Sequence, residues 1–201
     1  MSESNSTTVF YVCAAIAVFA FFAVIFGLKY FADDSPAPLQ TVEYNYFTFY
    51  NVSGFWETDI LLGKQIYRGT FRFNPLEVEN VSIEGNLSKG FNSPPVFITF
   101  DPTSNPESFK YQALAVTELS LHMVRALNVS VEGACTKNET DACIERSIVS
   151  CDSLNASVIY VVPEGEPKIV LDNRCITLYG SDFGLVKSAD RLLYQWYKII
   201  K

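Results

Sequence analysis

Apolar and polar positions follow three different rhythms along this chain. Val9 to Leu28 is unbroken, 20 residues without a charge, Pro, Asn or Gln. Thr41 to Glu84 tends to alternate at period two. From Val96 onward, short apolar runs trade places with stretches spaced at three and four.

The unbroken run predicts a membrane-spanning helix, because 20 residues at ~1.5 Å each match a ~30 Å bilayer core. A cleaved signal peptide fits less well. The tail 1–8 has no Lys or Arg, the apolar run is too long, and Phe31-Ala32-Asp33 is a poor cleavage site. Residues 9–28 are therefore read as an anchor. Residues 29–40, with Asp33-Asp34-Ser-Pro-Ala-Pro, are read as a short polar linker.

In the second stretch, Trp56, Thr58, Ile60 and Leu62 alternate with Glu57 and Asp59, the signature of a half-buried strand. Gln65 to Phe73 is another alternating run in which Gly69 suggests a bulge. Pro75 breaks it, and Val78 to Ile83 reads as a further strand. Residues 41–84 thus predict an antiparallel β meander, with Gly85 to Pro95 as a loop.

In residues 96–201, Val96-Phe-Ile-Thr-Phe100 is apolar on both faces, as a buried parallel strand is. Asn105 and Pro106 predict a helix start, and the helix runs to about Leu127. Phe109, Ala113, Val116, Leu119, Met123 and Leu127 are its expected core face. Short strands follow at Asn128–Glu132, Ser147–Ser150, Ser157–Val162, Ile169–Leu171 and Ile176–Tyr179. The last helix, capped by Asp182, has a stripe of Leu185, Val186, Ala189, Leu192, Leu193, Trp196, Tyr197 and Ile200. Lys187, Asp190, Arg191 and Gln195 fall on its expected solvent face. The class is α+β (or α/β): an N-terminal transmembrane helix, the meander, then a mixed sheet with two helices.

Charge narrows the function. Glu3 and Lys29 are the only charged residues among the first 32, so the whole net charge of −7 lies beyond them. An acidic domain repels phosphate backbones, which argues against nucleic acid. Cys135, Cys143, Cys151 and Cys175 are an even set behind an anchor. They predict two disulfides with three possible pairings. Their wide spacing lacks the C-x2–4-C turn of a structural zinc site, and no metal is expected. Cys13 is an apolar filler within the anchor. N-x-S/T sequons occur at Asn51, Asn80, Asn86, Asn128, Asn138 and Asn155, and a cluster of this kind suits a glycosylated outer face. Lys29 alone would place the domain inside by the positive-inside rule. Cysteines and sequons outweigh it, so the N-terminus is expected inside and the domain outside.

Several constellations were candidates for chemistry. His122, with Glu118 and Arg125 on one helix face, reads as a surface charge cluster rather than an oriented base. Asp182-Phe183-Gly184 spells a kinase tripeptide without any of the other kinase motifs. Gly180 to Gly184 reads as a tight turn rather than an anion cradle. Asp101, directly after a buried strand, and Asp182, after a later one, are a speculative acidic site. Tyr44, Tyr46, Phe47, Phe49, Tyr50, Phe55 and Trp56 are either strand core or a stacking surface. No nucleophile–base motif is present, no catalytic residue is assigned, and no cofactor is implied.

Glu77-Val-Glu-Asn-Val-Ser-Ile-Glu-Gly85, Phe97-Ile-Thr-Phe-Asp-Pro102 with Ala113-Leu-Ala-Val-Thr-Glu-Leu119, and Cys175-Ile-Thr-Leu-Tyr-Gly180 with Leu185 to Tyr194 and Trp196-Tyr197 resemble stretches of uncharacterised small membrane-anchored cell-surface proteins of archaea. The resemblance spans about residues 41–201. It implies an archaeal cell-surface setting and supplies no site residues. The expected function is that of a single-pass, membrane-anchored extracytoplasmic protein, a structural or interaction component of the cell envelope. Its partners would be the membrane through residues 9–28 and envelope proteins or a second copy. The alternative is a glycan- or peptide-binding module built on the aromatic meander. A small envelope hydrolase or transferase ranks third.

Overall fold

The computed structural model describes residues 3–31, 39–92, 95–153 and 155–201. Helix α1, Glu3–Phe31, begins within the expected tail and runs past the expected anchor end. Its Val9–Gly27 stretch is long and apolar enough to cross a membrane, and none of it is buried. Of the expected linker, residues 32–38 lie outside the described residues. Residues 39–201 form a separate compact unit.

That unit opens with β1 (Thr41–Tyr44), β2 (Phe47–Val52), β3 (Phe55–Leu62) and β4 (Gln65–Phe71), an antiparallel sheet in chain order. Two-residue loops join each pair. Each loop opens with a residue in the left-handed region: Asn45 (φ 52°), Ser53 (φ 54°) and Gly63 (φ 62°). This is the hairpin geometry that matches the twist of the strands. Alternation places Trp56, Thr58 and Ile60 inward, as expected, with Phe49 and Phe71 beside them. Gly69 is not a bulge. It pairs in unbroken register with Thr58. A Cβ there would lie 2.8 Å from Ile60 Cδ1 and the Phe71 ring, so the glycine makes room for its neighbours.

The meander ends earlier than expected. Asn74 caps a short helix α2, Pro75–Val78, in a capping box with Glu77. The next strand, β5 (Ser82–Leu87), leaves the meander and pairs in parallel with β10 (Lys168–Asn173) of the second sheet. Gly85 sits in β5 at φ +83°, and a Cβ there would collide with the Leu171 carbonyl. Gly85→Ala is expected to detach β5 and lower the unfolding free energy by about 3 kcal/mol, from strain and overpacking together. A urea titration with exchange of the β5 and β10 amides reads both effects.

The second sheet contains β6 (Val96–Phe100), β7 (Val131–Cys135), β8 (Ser147–Ile148), β9 (Ser157–Val162), β10 (Lys168–Asn173) and β11 (Cys175–Tyr179). Its order is β5-β10-β11-β9-β6-β7-β8. The five strands from β11 to β8 run parallel, whereas β10 is antiparallel to β11. β6 lies between β9 and β7, which is why Val96 to Phe100 is apolar on both faces. The fold is α+β.

Helices α3 (Phe109–Arg125) and α4 (Phe183–Trp196) pack on each other between the two sheets. On one side, Tyr194 of α4 stacks on Phe71 (4.4 Å between centroids) and meets Phe49 edge-on. On the other, Ser188 donates to Tyr179 O of β11. α3 is rotated relative to expectation. It buries Gln112, Ala115, Leu119, His122 and Met123, and leaves Phe109 57% exposed. The opposite face of the large sheet carries only a small cluster of Ala134, Val149, Val158 and Cys175. The disulfides are Cys135–Cys143 and Cys151–Cys175, which settles the pairing among the three possibilities. Cys175 belongs to this small cluster, whereas Cys135, next to Ala134 on β7, faces the other side of the sheet.

Candidate functional site

Where β4 ends, its outer backbone edge faces helices, and side chains of α3 and α4 close it. His122 Nε2 donates to Thr70 O at 3.0 Å. Asp190 Oδ2 accepts from the backbone N–H groups of Arg72 (3.1 Å) and Phe73 (2.9 Å). Tyr194 Oη donates to Phe73 O at 2.6 Å. These bonds dock the meander onto the helices and satisfy the backbone groups of Thr70, Arg72 and Phe73 at the end of β4.

Behind this row lies an ionisable cluster. The other nitrogen of His122, Nδ1, accepts from Tyr197 Oη at 2.8 Å. Because Thr70 O can only accept, Nε2 carries a proton, and burial, which disfavours the charged ring, leaves Nδ1 bare to accept. Burial pushes His122 down, against the opposing pull of its bond to Thr70. Burial likewise pushes the Tyr194 and Tyr197 phenols up. Glu118 Oε1 accepts from Arg72 Nε at 3.1 Å, and the Glu118 and Asp190 carboxyls are close enough to shift each other's titration. Each keeps one buried oxygen, Glu118 Oε2 and Asp190 Oδ1, that no donor reaches among the described residues. One proton on Asp190, donated to Glu118, satisfies the pair. Burial, and then the Glu118 charge, hold Asp190 well above the ordinary carboxyl range. Burial raises Glu118 as well, against the opposing pull of Asp190 and Arg72. The ingredients are those of acid–base chemistry, but Asp190 has no exposed surface and His122 almost none, so no substrate reaches them.

This network replaces the expected surface cluster of Glu118, His122 and Arg125. His122 and Glu118 turn inward to different partners, and Arg125 alone stays exposed. Asp190 and Arg191, expected on the solvent face of α4, are buried. A signal was present: Asp190 is four residues after Val186 and four before Tyr194, which puts it on the apolar stripe. Likewise, His122 is three residues after Leu119.

The speculative acidic pair does not assemble. β9 stands between the strands that carry Asp101 and Asp182. Asp101 Oδ1 accepts from the Thr103 N–H and hydroxyl, and Oδ2 faces Lys137 Nζ at 3.2 Å. Burial raises Asp101, yet these bonds outweigh it and hold the carboxyl below its usual value. Asp182 is exposed in the left-handed region (φ 52°) and makes no side-chain cap to α4. No group of three or more His, Cys, Asp or Glu able to hold a metal occurs among the described residues. The Gly180–Gly184 turn is a tight turn, as expected. Its N–H groups at 180, 181 and 184 bond to Val162, Glu164, Gly165 and Ser181 carbonyls rather than facing outward.

The seven meander aromatics do not form one surface. Phe49 and Trp56 are core, and Tyr44 and Phe47 pack against it. Tyr50 and Phe55 point outward, and Tyr46 stands fully exposed on the first hairpin loop. The β2–β3 ladder covers only Tyr50–Val52 and Phe55–Glu57. Beyond it the strands splay into a groove of about 530 Å³, lined by Tyr46, Tyr50, Asp59, Leu61 and Lys198 among others. Five sequon asparagines, Asn80, Asn86, Asn128, Asn138 and Asn155, are exposed; Asn51 is half-buried and accepts from the Gly54 N–H. Compared with protein-family models, curated proteins and solved structures, the chain matches none.

Proposed function

We propose that this chain is a single-pass membrane protein whose 39–201 domain is displayed outside the cell as a structural or interaction component of the envelope. The carrying observation is the pair of disulfides, Cys135–Cys143 and Cys151–Cys175, in the large-sheet half of the domain. Such bonds persist in oxidising compartments and are rare in a reducing cytosol. The apolar stretch Val9–Gly27 supplies the anchor, and the exposed sequons suit the same compartment. The archaeal setting, the envelope partners and self-association belong to this reading. The deciding measurement is non-reducing peptide mass mapping of protein taken from membranes, with protease added to intact cells. Two disulfides and cleavage from outside are expected. Four thiols and full protection would place the domain in the cytoplasm.

A second reading has the splayed β2–β3 groove as its support. Tyr46 and Tyr50 offer stacking faces, and β3 beyond Glu57 has no ladder partner on β2, so a glycan or an extended peptide fits there. Trp56 is buried and cannot report on such a ligand. Saturable binding of oligosaccharides, lost in Tyr46→Ala with Tyr50→Ala, is the expected result; no binding to the parent domain would end this reading.

A further inference from the structure

An apolar hollow of about 400 Å³ opens at the end of the large sheet where β5 finishes and β6 begins. Its walls include Leu87, Phe91, Val96, Leu127, Val129 and Trp196. In a watery exterior, an open wall of this kind promotes association. The strand beside it, β5, is an edge strand, paired only with β10 among the described residues. Edges of this kind recruit further strands unless something covers them.

Two sequons stand on the rim. Asn86-Leu87-Ser88 ends β5, and Asn128-Val129-Ser130 follows α3. In each, the middle residue is itself a wall of the hollow, while the asparagine and the serine on either side are exposed. The left-handed turn at Asn128 (φ 53°) explains an asparagine there but not the second one at Asn86. A sugar ring presents a C–H face suited to Trp196 and hydroxyls suited to water.

We infer that N-linked glycans on Asn86 and Asn128 cover this hollow and the outer edge of β5. The inference rests on the extracytoplasmic placement proposed above. In the modification, the Asn carboxamide nitrogen attacks the anomeric carbon of a sugar carried on a polyprenyl phosphate or diphosphate. The N–C bond forms and the C–O bond to phosphate breaks. The phosphate leaves with the electron pair, the amide gives up one proton, and nothing is oxidised or reduced.

The test is peptide mapping of the protein from its own membranes, followed by the double variant Ser88→Ala with Ser130→Ala. That pair removes both acceptor sequences and leaves both asparagines in place, so the turn at Asn128 is untouched. Glycan mass on both peptides is expected. In the variant, Trp196 quenching by acrylamide should rise about twofold, with Trp56 as the buried reference, and the domain should self-associate. Bare Asn86 and Asn128 beside intact disulfides overturn this inference alone. Four free thiols with every sequon bare overturn the placement as well. Glycans present, with quenching and size unchanged in the variant, overturn the covering role.

Discussion

Asp190→Ala is expected to lower the unfolding free energy by about 3 kcal/mol at pH 7, whereas Asp190→Asn leaves it unchanged or raises it. Alanine orphans two buried N–H groups, those of Arg72 and Phe73, and strands Glu118 without its proton donor. Asparagine keeps an oxygen for the N–H groups and supplies a permanent donor to Glu118. The two variants also separate in their pH dependence. The Asp190 pKa is raised in the folded state, so its proton stabilises the fold fully below the unfolded value of about 3.9, and this is lost as pH rises through the raised folded value. Asparagine removes that decline. His122 acts with the opposite sign: its folded pKa is lowered, so stability is full above about 6.5 and falls as pH drops below it. Asp190→Asn should therefore retain the loss on the acid side of neutrality and lose the decline toward higher pH. Urea titrations from about pH 4 to 8 measure both. An asparagine variant as unstable as the alanine one at every pH would rule out the shared proton.

Removing Cys151–Cys175 by paired alanine substitution should cost about 3 kcal/mol, the loop entropy released when its 24-residue separation is no longer closed. The loss should also be local. The face that Cys151–Cys175 staples has only a small buried cluster, while the meander and both helices share one much larger core. Under mild reduction, proteolysis should therefore begin between Thr136 and Ala156 and leave the meander and α4 intact. If the first cuts fall in the meander instead, the bonds do not have this local role.

What was legible in the sequence was local. The strict alternation from Trp56 to Leu62 gave β3 its correct inner face, and the double-faced run from Val96 to Phe100 marked a central strand. The stripe on α4 was right except at Asp190 and Arg191. Pattern reading assigns a charge to solvent, and it cannot see that the open edge of β4 waits opposite with two N–H groups. The same blindness turns α3 by a step: a pattern that puts Phe109 in the core and His122 on the surface misses that His122 and Gln112 are buried while Phe109 is exposed. β5 was read into the meander because strand alternation carries no information about which distant strand will pair with it. The Asn74-Pro-Leu-Glu77 capping box is legible in the sequence, and it marks a short helix where Pro75 alone suggests only a break. For the candidate site, its residues could be named from the sequence but not their company: Asp101 and Asp182 sit at strand ends as expected, yet β9 keeps their strands apart.

The pairing of β5 with β10 sets an order of events. Ser82 meets Lys168, which is 86 positions later in the chain. The meander is built from hairpins that close within a few residues of synthesis, so it is available early. β5 follows at once but stays a bare strand until about five-sixths of the chain has emerged. Contacts of such long sequence separation slow folding and extend the time during which an unpaired strand can meet another chain. The domain thus completes itself from its amino-terminal half toward its carboxyl end, with the arrival of Lys168–Asn173 as the step that ends its most vulnerable interval.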